Sequence, residues 1–205
     1  MELTENQKDA LSELINIAFS RTAASLSELT GHRVLLEVPK VAIHPIDELS
    51  NALAEFLPAE IATVHQVFSG AVTGDALMLL SYEGAVMLTD LLTDGVGTPN
   101  RLDASDREVL TEVGNILLNA CLGMFGNLLQ VHVTFSVPRL HLETLDALLK
   151  SLVIGKEGLR YALVVYTSFR MRDSAVRGYL VIALNVASLD RLIQEAESWE
   201  ERQGQ

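Results

Sequence analysis

The chain reads TENQKDALSELINIAFSRTAASLSEL at residues 4–29 and SDREVLTEVGNILLNACLGMFGNLL at residues 105–129, and these two similar stretches set its architecture. In both, apolar residues recur at the spacing of three and four that places them on one face of an α-helix. Both open with a capping-box pattern, Thr4–x–x–Gln7 in the first and Ser105–x–x–Glu108 in the second. The sequence therefore predicts two long helices, one near the start of each half.

The segments after each predicted helix follow the same order, which indicates a tandem repeat of residues 1–98 and 103–200. Each copy is predicted to contain a short strand that ends at a proline, a small amphipathic helix, a hairpin and a closing helix. In the first copy these elements are 33–38, 46–53, 61–68 with 76–80, and 82–92. In the second copy they are 131–137, 142–149, 161–169 with 178–184, and 186–200. Residues 95–100 have the composition of a linker.

The predicted fold is α+β, because each copy combines helices with a few strands. A unit of about three strands leaves a sheet edge exposed, and joining the two copies removes that edge. We therefore expect a single domain over residues 1–205, in which a pseudo-twofold tandem repeat shares one mainly antiparallel sheet and pairs its two long helices. Gly123 and Gly126 in the second long helix predict close packing against the first.

Composition limits the classes of partner. The chain has 205 residues, is 49% hydrophobic and carries 15 basic against 27 acidic residues, for a net charge of −12. This charge disfavours nucleic acid and anionic membrane surfaces, which are bound through clustered lysine and arginine. The uncharged run between Glu112 and Arg139 is long enough for a membrane span. Its asparagines, its glycines and its change to an alternating pattern favour a buried helix followed by a strand.

The cytoplasm is the expected location. The single cysteine, Cys121, cannot form an intramolecular disulfide, and the polar, acidic start of the chain is unlike a secretory signal. No cofactor or metal is expected on this chain, because nucleotide-binding and nucleophile motifs are missing from the sequence. The five histidines also lack the spacing of a helical metal site.

Each long helix carries a stripe of acidic and amide residues on one face. The stripes are Asp9, Glu13, Asn16 and Ser20 in the first helix, and Glu108, Glu112, Asn115 and Asn119 in the second. An isolated Glu–x–x–Asn pair on a surface helix is most often a pair of solvent-exposed residues without a specific function. Duplication of a sequence copies such residues as readily as it copies a functional site. Pattern alone therefore leaves both interpretations open.

The spacing resembles the signature of the CheC family, Asp/Ser–x3–Glu–x2–Asn–x22–Pro. The first copy matches it in full, at Asp9, Glu13, Asn16 and Pro39. The second copy matches at Glu112, Asn115 and Pro138, and departs at Glu108, where the family has Asp or Ser. The family's members are tandem repeats of about this length, so the resemblance extends over the whole chain.

The resemblance implies a chemotaxis-type protein phosphatase, a hydrolase that dephosphorylates a CheY-like response regulator in two-component signalling. It implies that Asn16 and Asn115 position the attacking water and that Glu13 and Glu112 contact the regulator. Mg²⁺ is then expected on the regulator, and the receptor deamidase CheD is a candidate second partner. The alternative is a non-catalytic module that binds a response regulator or the flagellar switch.

Overall fold

The structure is a computed structural model that describes residues 3–37, 40–95, 101–155, 161–171 and 173–203. The elements of the first half are α1 (Glu5–Thr30), β1 (Val34–Leu36), β2 (Lys40–Pro45), α2 (Leu49–Ala54), β3 (Glu60–Gly70), β4 (Gly74–Ser81) and α3 (Tyr82–Leu92). Those of the second half are α4 (Ala104–Leu128), β5 (Val133–Phe135), β6 (Arg139–Thr144), α5 (Leu145–Gly155), β7 (Tyr161–Met171), β8 (Ser174–Leu184) and α6 (Val186–Gln203).

The eight strands of the described residues form one antiparallel sheet, which confirms the predicted α+β class. The order is β1-β7-β8-β4-β3-β5, with β2 also beside β7 and β6 also beside β3. Strands that follow a long helix thus pair with the hairpin of the other half. The β2–β7 register runs from Lys40 opposite Tyr166 to Pro45 opposite Tyr161. The pseudo-twofold relation between the halves stays a prediction.

The sheet separates two layers of helices. The long helices α1 and α4 pack on one face with α3 and α6, over a core that includes Phe19, Leu118 and Leu180. On the other face, α2 and α5 cover a smaller apolar cluster that includes Leu53 and Leu149. A chain whose strands are apolar on both sides can bury them only in such a three-layer arrangement.

The cap of α1 is the predicted one, whereas the cap of α4 is not. The Thr4 side chain accepts a hydrogen bond from the Gln7 backbone at 3.3 Å, and the Gln7 side chain accepts one from the Thr4 backbone at 3.0 Å. In α4 the capping box joins Asp103 and Asp106, at 3.0 and 2.9 Å.

The predicted box at Ser105 and Glu108 is therefore wrong, and both residues lie inside the first turns of α4. Aspartate caps a helix as well as serine does. Leu102, directly before the cap, is 3% exposed and anchors this earlier start in the core.

The hairpins and closing helices lie where they were predicted, with longer strands. β3 and β4 pair from Ile61 opposite Ser81 to Phe68 opposite Gly74. The second hairpin also has longer strands than predicted, and Arg172 lies outside the described residues. Residues 96–100 of the predicted linker lie outside them as well.

Two strands were not predicted, namely β2 and β6. The strands before them are only three residues long, and the chain resumes pairing directly after the prolines. Pro138 lies between β5 and β6, whereas Pro39 lies outside the described residues. Leu142, assigned from sequence to the small helix, belongs to β6 and is 37% exposed.

The uncharged run is a helix followed by a strand, as predicted. Within the described part of the chain, α4 is the one helix that is long and apolar enough to cross a membrane by length and composition. Half of the 18-residue apolar stretch of this helix is buried inside the protein. Its apolar face contacts the sheet, α1 and α6, so α4 is packed as a core helix.

Candidate functional site

The signature residues of α1 lie on its outer face. Asp9 and Glu13 are exposed, and Asn16 is partly buried. The opposite face is buried in the main core, at Leu11, Leu14, Ile15 and Ala18. Burial of that apolar face orients the helix, and the orientation presents Glu13 and Asn16 one turn apart beside solvent.

The signature residues of α4 are displayed in the same way. Glu108 and Glu112 are exposed, and Asn115 is partly buried. The buried side of this helix includes Leu110, Val113 and Leu117. Because α1 packs against α4, the two Glu–x–x–Asn pairs belong to one helical layer.

An open groove of about 350 Å³ runs beside the acidic residues of the second copy. Its walls come from the C-terminal end of α1, from α3 and from the first turns of α4. The apolar part includes Leu29, which is 62% exposed, and Leu92. Glu108 and Glu112 also line the groove. The site thus combines an apolar surface with carboxylates that can pair with a cation.

Neither signature glutamate is paired with a charged residue of the described ranges. Glu13 and Glu112 form no ion pair with any residue that the structure describes. An exposed carboxylate without an internal partner keeps its capacity to accept charge-assisted hydrogen bonds from a second protein.

The two signature asparagines differ in their surroundings. The Asn16 carboxamide makes no hydrogen bond within the described ranges, and the Ser20 hydroxyl donates to the Asn16 backbone oxygen at 2.9 Å. By contrast, Asn115 Oδ1 accepts a hydrogen bond from Asn119 Nδ2 at 2.7 Å. One carboxamide is held by a neighbour and the other is not.

Asn119 is itself part of a chain of hydrogen bonds that reaches the sheet. Gln66 Nε2, on β3, donates to Asn119 Oδ1 at 3.2 Å and to the Ser136 backbone oxygen at 2.9 Å. Ser136 lies between β5 and β6, two residues before Pro138. Between them, Val137 is 82% exposed. The signature amide and the segment that leads to the signature proline are therefore linked through one buried glutamine.

Sequence reasoning placed Asn119 on the polar stripe but missed Gln66 and Ser136. Gln66 occupies an inward position of β3 that its neighbours Val64 and Phe68 mark as apolar, and it is only 2% exposed. A polar residue at a core-facing position of an apolar strand is the one signal that could have drawn attention to it.

The structure also bears on metal binding. Within the described ranges, no group of three or more His, Cys, Asp or Glu side chains could hold a metal ion. The expectation that the chain itself binds no metal stays a prediction.

The curated proteins that resemble this chain include CheC and FliY of Bacillus subtilis, and no protein-family model matches it. CheC of Bacillus subtilis, named as a CheY-P phosphatase, is 25% identical over 175 residues, which cover 81% of this chain and 81% of CheC. FliY of the same organism, named as a flagellar motor switch phosphatase, is 24% identical over 143 residues. That match covers 69% of this chain and only 37% of FliY.

Solved structures share the fold. The crystal structure of Thermotoga maritima FliY has a TM-score of 0.75 at 19% identity and covers 97% of this chain and 99% of the FliY chain. The FliM middle domain of H. pylori has a TM-score of 0.67 at 9% identity, with 94% and 99% covered. The sequence matches and the shared fold together indicate that the chain is homologous to CheC and FliY.

Proposed function

We propose that this chain is a phosphoaspartate phosphatase that accelerates the hydrolysis of CheY-P or of a similar phosphorylated receiver. The observation that carries the proposal is the outward display of two Glu–x–x–Asn pairs, at Glu13 with Asn16 and at Glu112 with Asn115. The homologues' names support it at the level of the family. The chain is then one domain built of two copies of the signature unit, and it works in the cytoplasm.

The reaction requires little more than a well-placed water. Water oxygen attacks phosphorus, the bond from phosphorus to the aspartyl oxygen breaks, and the carboxylate and inorganic phosphate are released, with the water's protons going to phosphate and solvent. We expect the receiver to hold its own Mg²⁺, which offsets the charge of the phosphoryl oxygens. An inserted carboxamide can both accept from the water and donate, and it adds no negative charge beside the phosphoryl group.

Glu13 and Glu112 have a different task in this proposal, because a carboxylate near the phosphoryl group would be repelled. One helical turn from the asparagine, each glutamate pairs with a cation on the receiver and sets the angle at which the amide enters. The groove beside Glu112 offers apolar contact area for the same partner. The glutamates therefore act in docking, and the asparagines act on the water.

The test follows the decay of CheY-P from Bacillus subtilis, the substrate in the name of the CheC relative. Because positioning one water is a modest contribution, the expected acceleration is on the order of 10- to 10³-fold. Asn16→Ala and Asn115→Ala should each remove part of it, and the double variant nearly all. Matched controls are Asn6→Ala and Asn127→Ala, which change exposed asparagines on the same two helices about three turns away.

A double variant that accelerates decay as well as the parent protein would refute the catalytic role of the asparagines. For the glutamates, Glu13→Ala and Glu112→Ala should weaken binding of CheY-P more than they slow the bound reaction. If they slow the bound reaction and leave binding intact, the docking role is wrong.

The second candidate is a non-catalytic module of the flagellar switch, and the fold shared with the FliM middle domain favours it. The two functions separate in one experiment. A switch module binds its partner and leaves the lifetime of CheY-P unchanged, whereas a phosphatase shortens that lifetime catalytically. The receptor deamidase CheD is a further candidate partner, and a pull-down with purified CheD tests it directly.

A further inference from the structure

We propose that Asn119 is a positioning residue that locks the Asn115 carboxamide in one orientation, so that the second signature site is pre-organised and the first is not. This inference rests on the proposed phosphatase function for its catalytic consequence. Its structural content, the difference in order between two side chains, can be measured without any substrate.

The hydrogen bonds fix the orientation of each carboxamide in this network, namely those of Gln66, Asn119 and Asn115. A backbone carbonyl can only accept, so the Ser136 oxygen requires Gln66 to turn its Nε2 group toward it. The same Nε2 group donates to Asn119 Oδ1, which leaves Asn119 Nδ2 to donate to Asn115. Rotating the Asn115 carboxamide by half a turn would place two NH₂ groups against each other.

The locked orientation suits the proposed chemistry. Asn115 Oδ1 uses one lone pair for Asn119 and keeps the other, and its NH₂ group makes no hydrogen bond with a described residue. One acceptor and one donor thus stay available for a water molecule. A carboxamide already in its working orientation loses less conformational freedom when it enters the receiver.

The buried end of the network, at Gln66, is unfavourable for stability. Stability of the fold therefore does not explain why the network is present. Gln66 is 2% exposed, and its Oε1 atom has no hydrogen-bond partner among the described residues. A buried acceptor without a partner destabilises a protein, and an apolar side chain of similar shape would serve the core better. Gln66 is thus an amide at a position of the sheet where packing alone would favour Leu or Met.

Among the described residues, the first signature site has no such network, although the backbone beside it has the same arrangement. The Ser136 N–H donates to the Val67 oxygen at 2.8 Å, and at the matching place the Glu37 N–H donates to the Ser168 oxygen at 3.1 Å. Thr167 then stands where Gln66 stands, and its hydroxyl reaches the Glu37 backbone oxygen at 3.4 Å. A threonine is too short to extend to α1.

Ser20 stands at the position in α1 that Asn119 occupies in α4, and it bonds to the backbone instead of the Asn16 side chain. Two amides beside the second signature site, Asn119 and Gln66, are thus replaced by two short hydroxyls, Ser20 and Thr167, beside the first. The difference between the copies lies in these supporting residues, because the signature pairs themselves are the same.

The direct test is nuclear magnetic resonance of the side-chain NH₂ groups in the free protein. We expect an order parameter above about 0.8 for Asn115 and below about 0.6 for Asn16. Asn119→Ser, which copies Ser20, should lower Asn115 to the value of Asn16. The matched Ser20→Ala variant should leave Asn115 unchanged. Equal order parameters for Asn115 and Asn16 in the parent protein would overturn the inference.

The kinetic test uses the Asn16→Ala background, in which only the second site can act on CheY-P of Bacillus subtilis. There Asn119→Ser should lower kcat roughly 3- to 10-fold and leave KM nearly unchanged, since Asn119 acts on orientation and not on docking. Gln66→Met should lower kcat similarly while its melting temperature stays equal or rises. A merely structural role predicts the opposite pattern, with lower stability and intact kcat.

The two hypotheses fail in different ways. If Asn115→Ala in this background leaves decay unchanged, the proposed function fails, and the order parameters still decide the positioning. If Asn115→Ala slows decay while Asn119→Ser and Gln66→Met do not, the positioning inference alone is wrong.

Discussion

Gly114→Ala adds a single methyl group beside the second signature site and should weaken both the fold and the proposed activity. Gly114 lies on the buried face of α4, directly before Asn115. A Cβ atom at this position would lie 2.5, 2.7 and 2.9 Å from Cγ1, Cβ and Cγ2 of Val64 on β3. The glycine therefore allows α4 to approach the sheet closely.

The size of the effect follows from these three distances. Carbon atoms in contact normally lie about 3.5–4.0 Å apart, so helix and strand must separate by roughly 1 Å. Val64 cannot turn away, because it is β-branched and 1% exposed. Overpacking of this kind lowers the free energy of unfolding by about 1–3 kcal/mol. The higher helix propensity of alanine relative to glycine raises it by up to about 1 kcal/mol. We expect a net loss of about 1–2 kcal/mol in the free energy of unfolding.

Urea unfolding monitored by circular dichroism measures this loss, and the same helix supplies a matched control. At Gly123 an added Cβ would meet nothing within 4 Å, so Gly123→Ala should stabilise the protein by about 0.5–1 kcal/mol. If Gly114→Ala proves as stable as Gly123→Ala, the close approach of α4 to β3 is not a real constraint.

The same substitution should affect catalysis, because Asn115 moves with the helix. A displacement of about 1 Å at a positioning group can lower a rate by up to roughly 10²-fold. In the Asn16→Ala background, the decay of CheY-P should therefore slow far more with Gly114→Ala than with Gly123→Ala. Equal rates for the two variants would refute the link between helix position and activity.

Three further predictions concern the fold. Asp103→Ala should cost about 1 kcal/mol of unfolding free energy in urea titrations, whereas Ser105→Ala should be nearly neutral, because Asp103 caps α4. Burial raises the pKa of Cys121 to about 12, so its thiol should react with a thiol reagent only through unfolding. Between about pH 9 and 12 the unfolded chain loses this proton and the folded one keeps it, so stability should fall as the pH rises, and Cys121→Ala should reduce that fall. Thr63→Val should raise the melting temperature, because the buried Thr63 hydroxyl has no hydrogen-bond partner within the described ranges.

Local patterns in the sequence predict the helices and hairpins of this fold well. The closing helix α3 has the predicted bounds, and the hairpin strands contain the predicted segments. These elements depend on side-chain periodicity and turn residues, which act over a few positions. The predicted start of α4 was wrong because Asp103 and Ser105 can both cap a helix. The burial of Leu102 in the core favours the cap at Asp103.

The missed elements depend on contacts that are distant in the chain. Neither β2 nor β6 is marked as a strand by its own sequence, and each exists because a strand of the other half offers it an open edge. Close packing against α1 was expected at Gly123 and Gly126, but an added Cβ would meet nothing within 4 Å at Gly123 and only Val131 and Val133 at Gly126. The close approach occurs at Gly114 instead, because only the fold shows which glycine faces Val64. Likewise, the polar stripes on the helices predicted Asn16 and Asn115 as site residues. They could not predict Gln66, which lies on β3 and hydrogen-bonds to Asn119 only in the folded protein.

The exchange of strands between the halves also sets when the protein can fold during synthesis. Glu37, just after β1, contacts Thr167 in β7 across a separation of 130 residues. At a translation rate of about 5–20 residues per second, β1 and β2 wait on the order of ten seconds before their partner strand leaves the ribosome. Throughout that interval the nascent chain carries an incomplete sheet, so a chaperone that shields the early strands should raise the yield of native protein.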